Sequence, residues 1–82
     1  MWFVYVIQNS ETNENYIGST GDLERRLNEH NSESGHSTER KFGTWKLIYY
    51  EAFSSKKLAL VREKKLKSHG RAKQELMKRI KE

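Results

Sequence analysis

The stretch Trp2-Phe3-Val4-Tyr5-Val6-Ile7-Gln8 decides the fold. Its side chains are aromatic or β-branched almost throughout, which favours a pleated strand. Alternation sends Phe3, Tyr5 and Ile7 to one face and Trp2, Val4 and Val6 to the other. Both faces are apolar and need cover, so residues 1–8 are expected to form a central strand. The polar run from Asn9 to Asn15 then turns the chain, and Tyr16-Ile17-Gly18 resumes a short strand, making a β-hairpin.

Outward from this hairpin, Ser19-Thr20-Gly21-Asp22 carries helix-start chemistry. Thr20, or Gly21-Asp22, is placed to cap a helix running to about Asn31. Leu23 and Leu27 form its apolar stripe, with Arg26 and His30 one turn apart beside it. Asn31 to Gly43 has little periodicity and reads as a loop, long for so small a domain, which points to a functional role. Trp45 to Phe53 is a third strand. Ser54-Ser55 ends it and caps a helix from Lys56 to about Lys67, in which Leu58, Ala59, Leu60, Val61 and Leu66 supply one buried side. Ser68-His69-Gly70 breaks that helix, with Gly70 expected as a left-handed cap residue. A last helix, Arg71 to Lys81, buries Ala72, Leu76 and Ile80 at steps of four. The order ββαβαα defines an α+β fold: a small three-stranded antiparallel sheet flanked by helices.

The 82 residues are expected to form a single domain, 1–82. With no cysteine, disulfides and thiolate metal sites are excluded. No run approaches the roughly 18–20 apolar residues that span a bilayer, and the N-terminus has no basic segment ahead of its apolar run. A soluble, cytoplasmic protein is expected. The net charge of +5 is unevenly spread. Residues 56–82 hold 11 Lys/Arg against 3 Glu, and residues 1–55 hold 5 against 8 acidic groups. A basic C-terminal third suits a polyanion such as nucleic acid, because each cation near a phosphate releases a condensed counterion. The ordinary alternative is a lysine-rich face that keeps a small protein soluble.

Three groups of residues have chemistry to offer. Tyr5 and Tyr16 lie in the two strands of one hairpin; a phenol near a cation can pass a proton, although strand tyrosines more often only pack. Arg26 presents a guanidinium that grips phosphate oxygens in pairs, and His30, one turn on, can hold the same phosphate or move a proton. Glu63, beside the buried side of its helix, is placed to hold a hydrated Mg²⁺, which takes one or two carboxylates and keeps its waters. Its ordinary alternative is a salt bridge to Lys67 at i+4, worth a few tenths of a kcal/mol. No second ligand at zinc-like spacing accompanies His30.

Taken together, these residues resemble a known family. Phe3-Val4-Tyr5, Tyr16-Ile17-Gly18, the run Asp22-Leu23-Glu24-Arg25-Arg26-Leu27-Asn28-Glu29-His30 and Val61-Arg62-Glu63 resemble the GIY-YIG nucleases over nearly the whole chain. The likeness is greatest to the small stand-alone members related to the nuclease domain of the bacterial excision-repair subunit. Trp45 to Glu51 and Arg71-Ala72-Lys73 share that likeness. Phe3 stands where the first motif has glycine. The resemblance implies a metal-dependent endonuclease acting on phosphodiesters in DNA, structured or damaged DNA included. Tyr5, Tyr16, Arg26 and His30 would be catalytic, Gly18 a structural motif residue, and Glu63 the ligand of one Mg²⁺ or Mn²⁺. Either tyrosine would accept the proton of the attacking water, with a pKa lowered by nearby cations. Lys64, Lys65, Lys67, Arg71 and Lys73 are the expected nucleic-acid contacts.

Two other functions compete. One is a catalytically silent nucleic-acid-binding module with the same fold; the other is a protein-interaction domain whose basic helix docks on an acidic partner. A single-domain member lacks an appended recognition domain, so a protein partner that targets it to substrate is expected. The expected state is a monomer or weak dimer with no membrane association.

Overall fold

The structure, a computed structural model, describes residues 1–31 and 43–81. The loop expected from Asn31 to Gly43 lies, apart from its two end residues, outside the described residues. Three strands, β1 (Trp2–Asn9), β2 (Asn15–Thr20) and β3 (Trp45–Phe53), and three helices, α1 (Leu23–Asn31), α2 (Lys56–Ser68) and α3 (Gly70–Lys81), follow in ββαβαα order. The sheet order is β2-β1-β3 and both pairings are antiparallel. The apolar first strand is central, as its two apolar faces require: Val4, Tyr5, Val6 and Ile7 are all buried. β2 extends beyond the expected Tyr16–Gly18 because pairing with β1 continues to Thr20 opposite Phe3.

Each face of β1 has its own cover. Val4 and Val6 join Ile17, Ala59 of α2, Leu66 of α2 and Leu76 of α3 in the core. Trp2, Ile48, Tyr49, Phe53, Ala72 and Ile80 close its edges. Tyr5 lies on the other face, where α1 meets it. A register shift between Val6 and Ile7 on the β3 side skips Ile48, so Leu47 pairs with Ile7 while Tyr49 pairs with Val6.

One row across the sheet fixes α2. Val4 pairs with Ser19 of β2 on one side and with Glu51 of β3 on the other. Two consecutive α2 residues grip the ends of this row. Glu63 accepts a hydrogen bond from Ser19 Oγ at 2.6 Å, and Arg62 donates through Nε and Nη2 to the Glu51 carboxylate at 2.9 and 3.0 Å. Tyr49 Oη adds a third donor to Glu51 at 2.6 Å. A bidentate guanidinium–carboxylate contact sets angle as well as distance, so it fixes how α2 is rotated over the sheet.

The helix ends show where local chemistry acted. Asp22 caps α1, its Oδ1 accepting from Arg25 N–H at 3.1 Å, and Thr20 Oγ1 accepts from Asp22 N–H at 3.1 Å. Ser55 caps α2 through Leu58 N–H. The expectation for Gly70 is corrected: among the described glycines only Gly43 has positive φ, and Gly70 is the first residue of α3. The break is made by His69 alone, in extended conformation. Its N–H bonds to Lys65 C=O and its C=O accepts from Lys73 N–H, closing one helix and opening the next, so no left-handed residue is needed. At Gly43, φ is 81° and a Cβ would lie 2.6 Å from Glu11 Cγ and 2.7 Å from Ser10 Oγ, so glycine lets the entry to β3 press against the hairpin turn.

Candidate active site

The register of the hairpin builds the centre. Tyr5 pairs directly with Gly18, and its phenol lies across the glycine backbone: a Cβ at position 18 would sit 2.5 Å from Tyr5 Oη and 2.7 Å from Cζ. The hydroxyl thus reaches past β2 to α1. There Arg26 Nε donates to Tyr5 Oη at 3.3 Å, and His30 Nε2 lies 3.2 Å from the same oxygen. The one-turn spacing of Arg26 and His30 presents both to one phenol. Tyr16, on the open edge strand, sets its ring centroid 5.0 Å from that of His30 and 6.4 Å from that of Tyr5. Trp45 closes the far side of the imidazole at 6.3 Å.

Tyr5, Tyr16, Arg26 and His30 therefore form one cluster, and Glu63 joins it by its rim. No direct bond links the Glu63 carboxylate to those four; Oε1 accepts from Ser19 Oγ, and Oε2 pairs with Lys67 Nζ at 2.8 Å. Ser19 follows Gly18 and shares a cleft with Arg26, together with Trp2, Gly21 and Asp22. Lys67 Nζ stands 5.6 Å from the centroid of the Tyr16 ring. Glu63 and the phenols thus meet around the edge of β2. Of the other expected contacts, Lys64, Lys65, Arg71 and Lys73 are exposed. Lys64 lies on the outer side of α2 with Leu60 and Val61, and Arg71 faces Glu75 at 3.7 Å.

Burial and charge set the protonation of the cluster. Burial pushes the Tyr5 phenol above the ordinary tyrosine value, outweighing the Arg26 contact that lowers it. This corrects the expectation of a lowered phenol pKa at that position: desolvating a phenolate outweighs the neighbouring guanidinium. Burial, then the Arg26 charge, depresses His30 below the ordinary histidine value. In the Nδ1–H tautomer of a neutral imidazole, Tyr5 donates to His30 Nε2 while accepting from Arg26. The Tyr5 and Glu29 contacts raise Arg26 further, so it is a permanent cation. Burial alone would raise Glu63, but the Lys67 and Ser19 bonds outweigh it and hold the carboxylate below its ordinary value.

These directions give a pH dependence. The unfolded chain protonates His30 near pH ~6.5, whereas the folded chain resists until lower pH. Between those points the unfolded state binds more protons, so stability falls with pH. Glu51 and Glu63, both depressed in the fold, keep their contacts through this window and lose them only in the acid range. Thermal melts from about pH 7.5 to about pH 5.5 should show a falling midpoint, and His30→Gln should flatten that slope. An equal slope in the variant would place the proton uptake elsewhere.

As a holder of metal, Glu63 is a single carboxylate. Among the described residues no group of three or more His, Cys, Asp or Glu comes together. Its donor chemistry fits one hydrated, hard divalent cation, which needs few protein ligands, provided Lys67 leaves Oε2. Lys67, expected either as a phosphate contact or as the i+4 partner of Glu63, forms that i+4 pair, which brings it into the site. Sequence reasoning missed Glu29, which ties Arg26 Nη1 at 3.0 Å and Arg25 Nε at 3.2 Å. The i+3 and i+4 spacings were the available signals.

The phenol–guanidinium–imidazole cluster thus lies on a β2-β1-β3 sheet with a glutamate at its rim. The GIY-YIG catalytic domain matches residues 1–78, and the chain belongs to that family. Within it, the chain is similar to a UPF0213 protein of Haloquadratum walsbyi, 36% identical over 73 residues that cover 89% of this chain and 81% of that protein. A UPF0213 protein of Vibrio campbellii is 37% identical over 76 residues, covering 93% and 72%. The solution NMR structure of a UPF0213 protein from Bacillus halodurans aligns with a TM-score of 0.56 at 32% identity, over 99% of this chain and 86% of that one. No helix among the described residues is long and apolar enough to cross a membrane.

Proposed function

We propose that the chain is a nucleic-acid-binding domain of the GIY-YIG fold that seats a backbone phosphate against Arg26, with DNA the expected nucleic acid. The observation that carries this reading is the posture of Arg26. Tyr5 and Glu29 hold two corners of its guanidinium, and it lines a cleft shared with Ser19. The excess of cations in residues 56–82 supplies long-range attraction. In the free protein both Glu63 oxygens are engaged by Ser19 and Lys67, so a phosphate is offered Arg26 before a metal is offered Glu63.

A second reading, a Mg²⁺- or Mn²⁺-dependent endonuclease, is favoured by the hydrogen-bonded line from Arg26 through Tyr5 to His30. Arg26 would hold the phosphate and offset its growing charge. The water attacking phosphorus would pass its proton to the Tyr5 oxygen as Tyr5 hands its own proton to His30, with Tyr16, exposed beside them, facing the incoming water. A divalent cation held by Glu63 would supply Lewis-acid stabilisation of the leaving oxygen.

Fluorescence anisotropy with single-stranded, nicked, branched and duplex DNA tests the first reading, and the same substrates with Mg²⁺, Mn²⁺ or EDTA test the second. Neutralising Lys64, Lys65 and Lys73 together should weaken binding to all sequences alike and reduce the salt slope by up to about three units. Binding and slope unchanged by that triple substitution would make these lysines a solubility device.

A further inference from the structure

The Glu63–Lys67 pair is unequal. The Glu63 side chain is 19% exposed and anchored at its other oxygen by Ser19, whereas the Lys67 side chain is 47% exposed. One partner is fixed and the other can swing. The Lys67 ammonium also stands over the Tyr16 ring, so an anion arriving at the tyrosines meets it directly. A cation arriving at Oε2 meets it too, because Nζ lies 2.8 Å from that oxygen.

Resting on the nucleic-acid reading above, we propose that Lys67 is a resident counter-cation that couples two ligands at this site. In the free protein it occupies the Glu63 oxygen that a divalent cation needs. A nucleic-acid phosphate draws the ammonium away, since a doubly charge-assisted contact to phosphate replaces the one to carboxylate, and Glu63 is then open. Like charges repel strongly at such distances, so ammonium and metal do not share Oε2. Each ligand takes one half of the pair, and each therefore strengthens the other by the same factor. A site built this way holds metal weakly until substrate is present.

The test is Mn²⁺ titration followed by paramagnetic broadening of the Gly18 and Ser19 amide signals, with Glu63→Gln run alongside to subtract ions carried by the DNA. It is run with and without a short single-stranded oligonucleotide. In wild type, DNA should lower the Mn²⁺ concentration needed by about fivefold or more. Lys67→Met should bind Mn²⁺ without DNA at that lower concentration and gain nothing further from DNA. Lys67→Arg, which keeps the charge, should behave as wild type.

Equal Mn²⁺ binding by wild type and Lys67→Met without DNA overturns the proposal. Glu63→Gln separates the causes: if it abolishes broadening while Lys67→Met changes nothing, the role of Lys67 alone is wrong. If Glu63→Gln broadens like wild type, the ion is not at Glu63, and the endonuclease reading falls with the proposal. Failure of wild type to bind the oligonucleotide, with Lys67→Met still tightening Mn²⁺, removes the nucleic-acid reading and with it the coupling.

Discussion

Gly18→Ala should unseat Tyr5 and abolish the site while leaving most of the sheet intact. The added methyl would lie 2.5 Å from the phenol oxygen and 2.7 Å from Cζ, inside any allowed contact. Tyr5 is 2% exposed and fixed at its hydroxyl by two α1 side chains, so the ring cannot slide aside without breaking both bonds. The strain can be shared by moving β2, which as an edge strand has one free side. Overpacking of this kind typically costs about 1–3 kcal/mol. Urea melts should show that loss, and nucleic-acid affinity should drop by about tenfold or more as Arg26 loses its support. Tyr5→Phe removes the closest contact, so the double variant should cost less than the two single changes added together. Wild-type stability and binding in Gly18→Ala would show that the phenol does not lie across the glycine.

The paired variants Arg26→Ala and Glu63→Gln should separate binding from chemistry. Arg26 is the fixed cation of the cluster, and hydrogen bonds to charged groups contribute about 1.5–3 kcal/mol, so Arg26→Ala should weaken DNA binding by about tenfold to a hundredfold. Arg26→Lys should recover little, because an ammonium cannot contact Tyr5 and Glu29 while also gripping a phosphate with paired donors. Glu63→Gln should leave binding unchanged or tighter, since a negative charge has gone from a surface that faces phosphate. If the wild type cleaves DNA, both variants should lower the rate by about a thousandfold or more, because charge stabilisation of the transition state is worth several kcal/mol. Loss of cleavage with opposite effects on affinity is not what simple misfolding produces. Equal affinity in wild type and Arg26→Ala would place the phosphate elsewhere.

The architecture was legible where a local pattern had no rival. The double-faced apolar run around Val4 and Val6 could only be central, and the hairpin followed from the polar turn after it, whereas the register that sets Tyr5 opposite Gly18 came only with the structure. Choices between neighbours of similar propensity were not legible: Thr20, Gly21 and Asp22 can each cap a helix, and the structure uses Asp22. Gly70 carried a left-handed signal that His69 made unnecessary by bridging both helices with its own backbone. The members of the candidate cluster were legible as residues, but their contacts were not. Nothing in the sequence tells Glu63 to bond Ser19 44 positions away, because that contact depends on the rotation of α2, and the rotation is fixed by Arg62 on Glu51.

That rotation has a consequence for the opening motions of the domain. β2 buries little apolar surface of its own, Ile17 being its one core side chain, and an isolated edge of that kind normally frays at little cost. Here its end is pinned to Glu63 of α2 by Ser19, while β3 is pinned by Glu51 to the preceding α2 residue, Arg62. The two edges of the sheet and the helix above them thus form one cooperative unit. Amide protons of β2 should inherit the exchange protection of the helix, and the contacts of the site should come apart only when the whole unit opens.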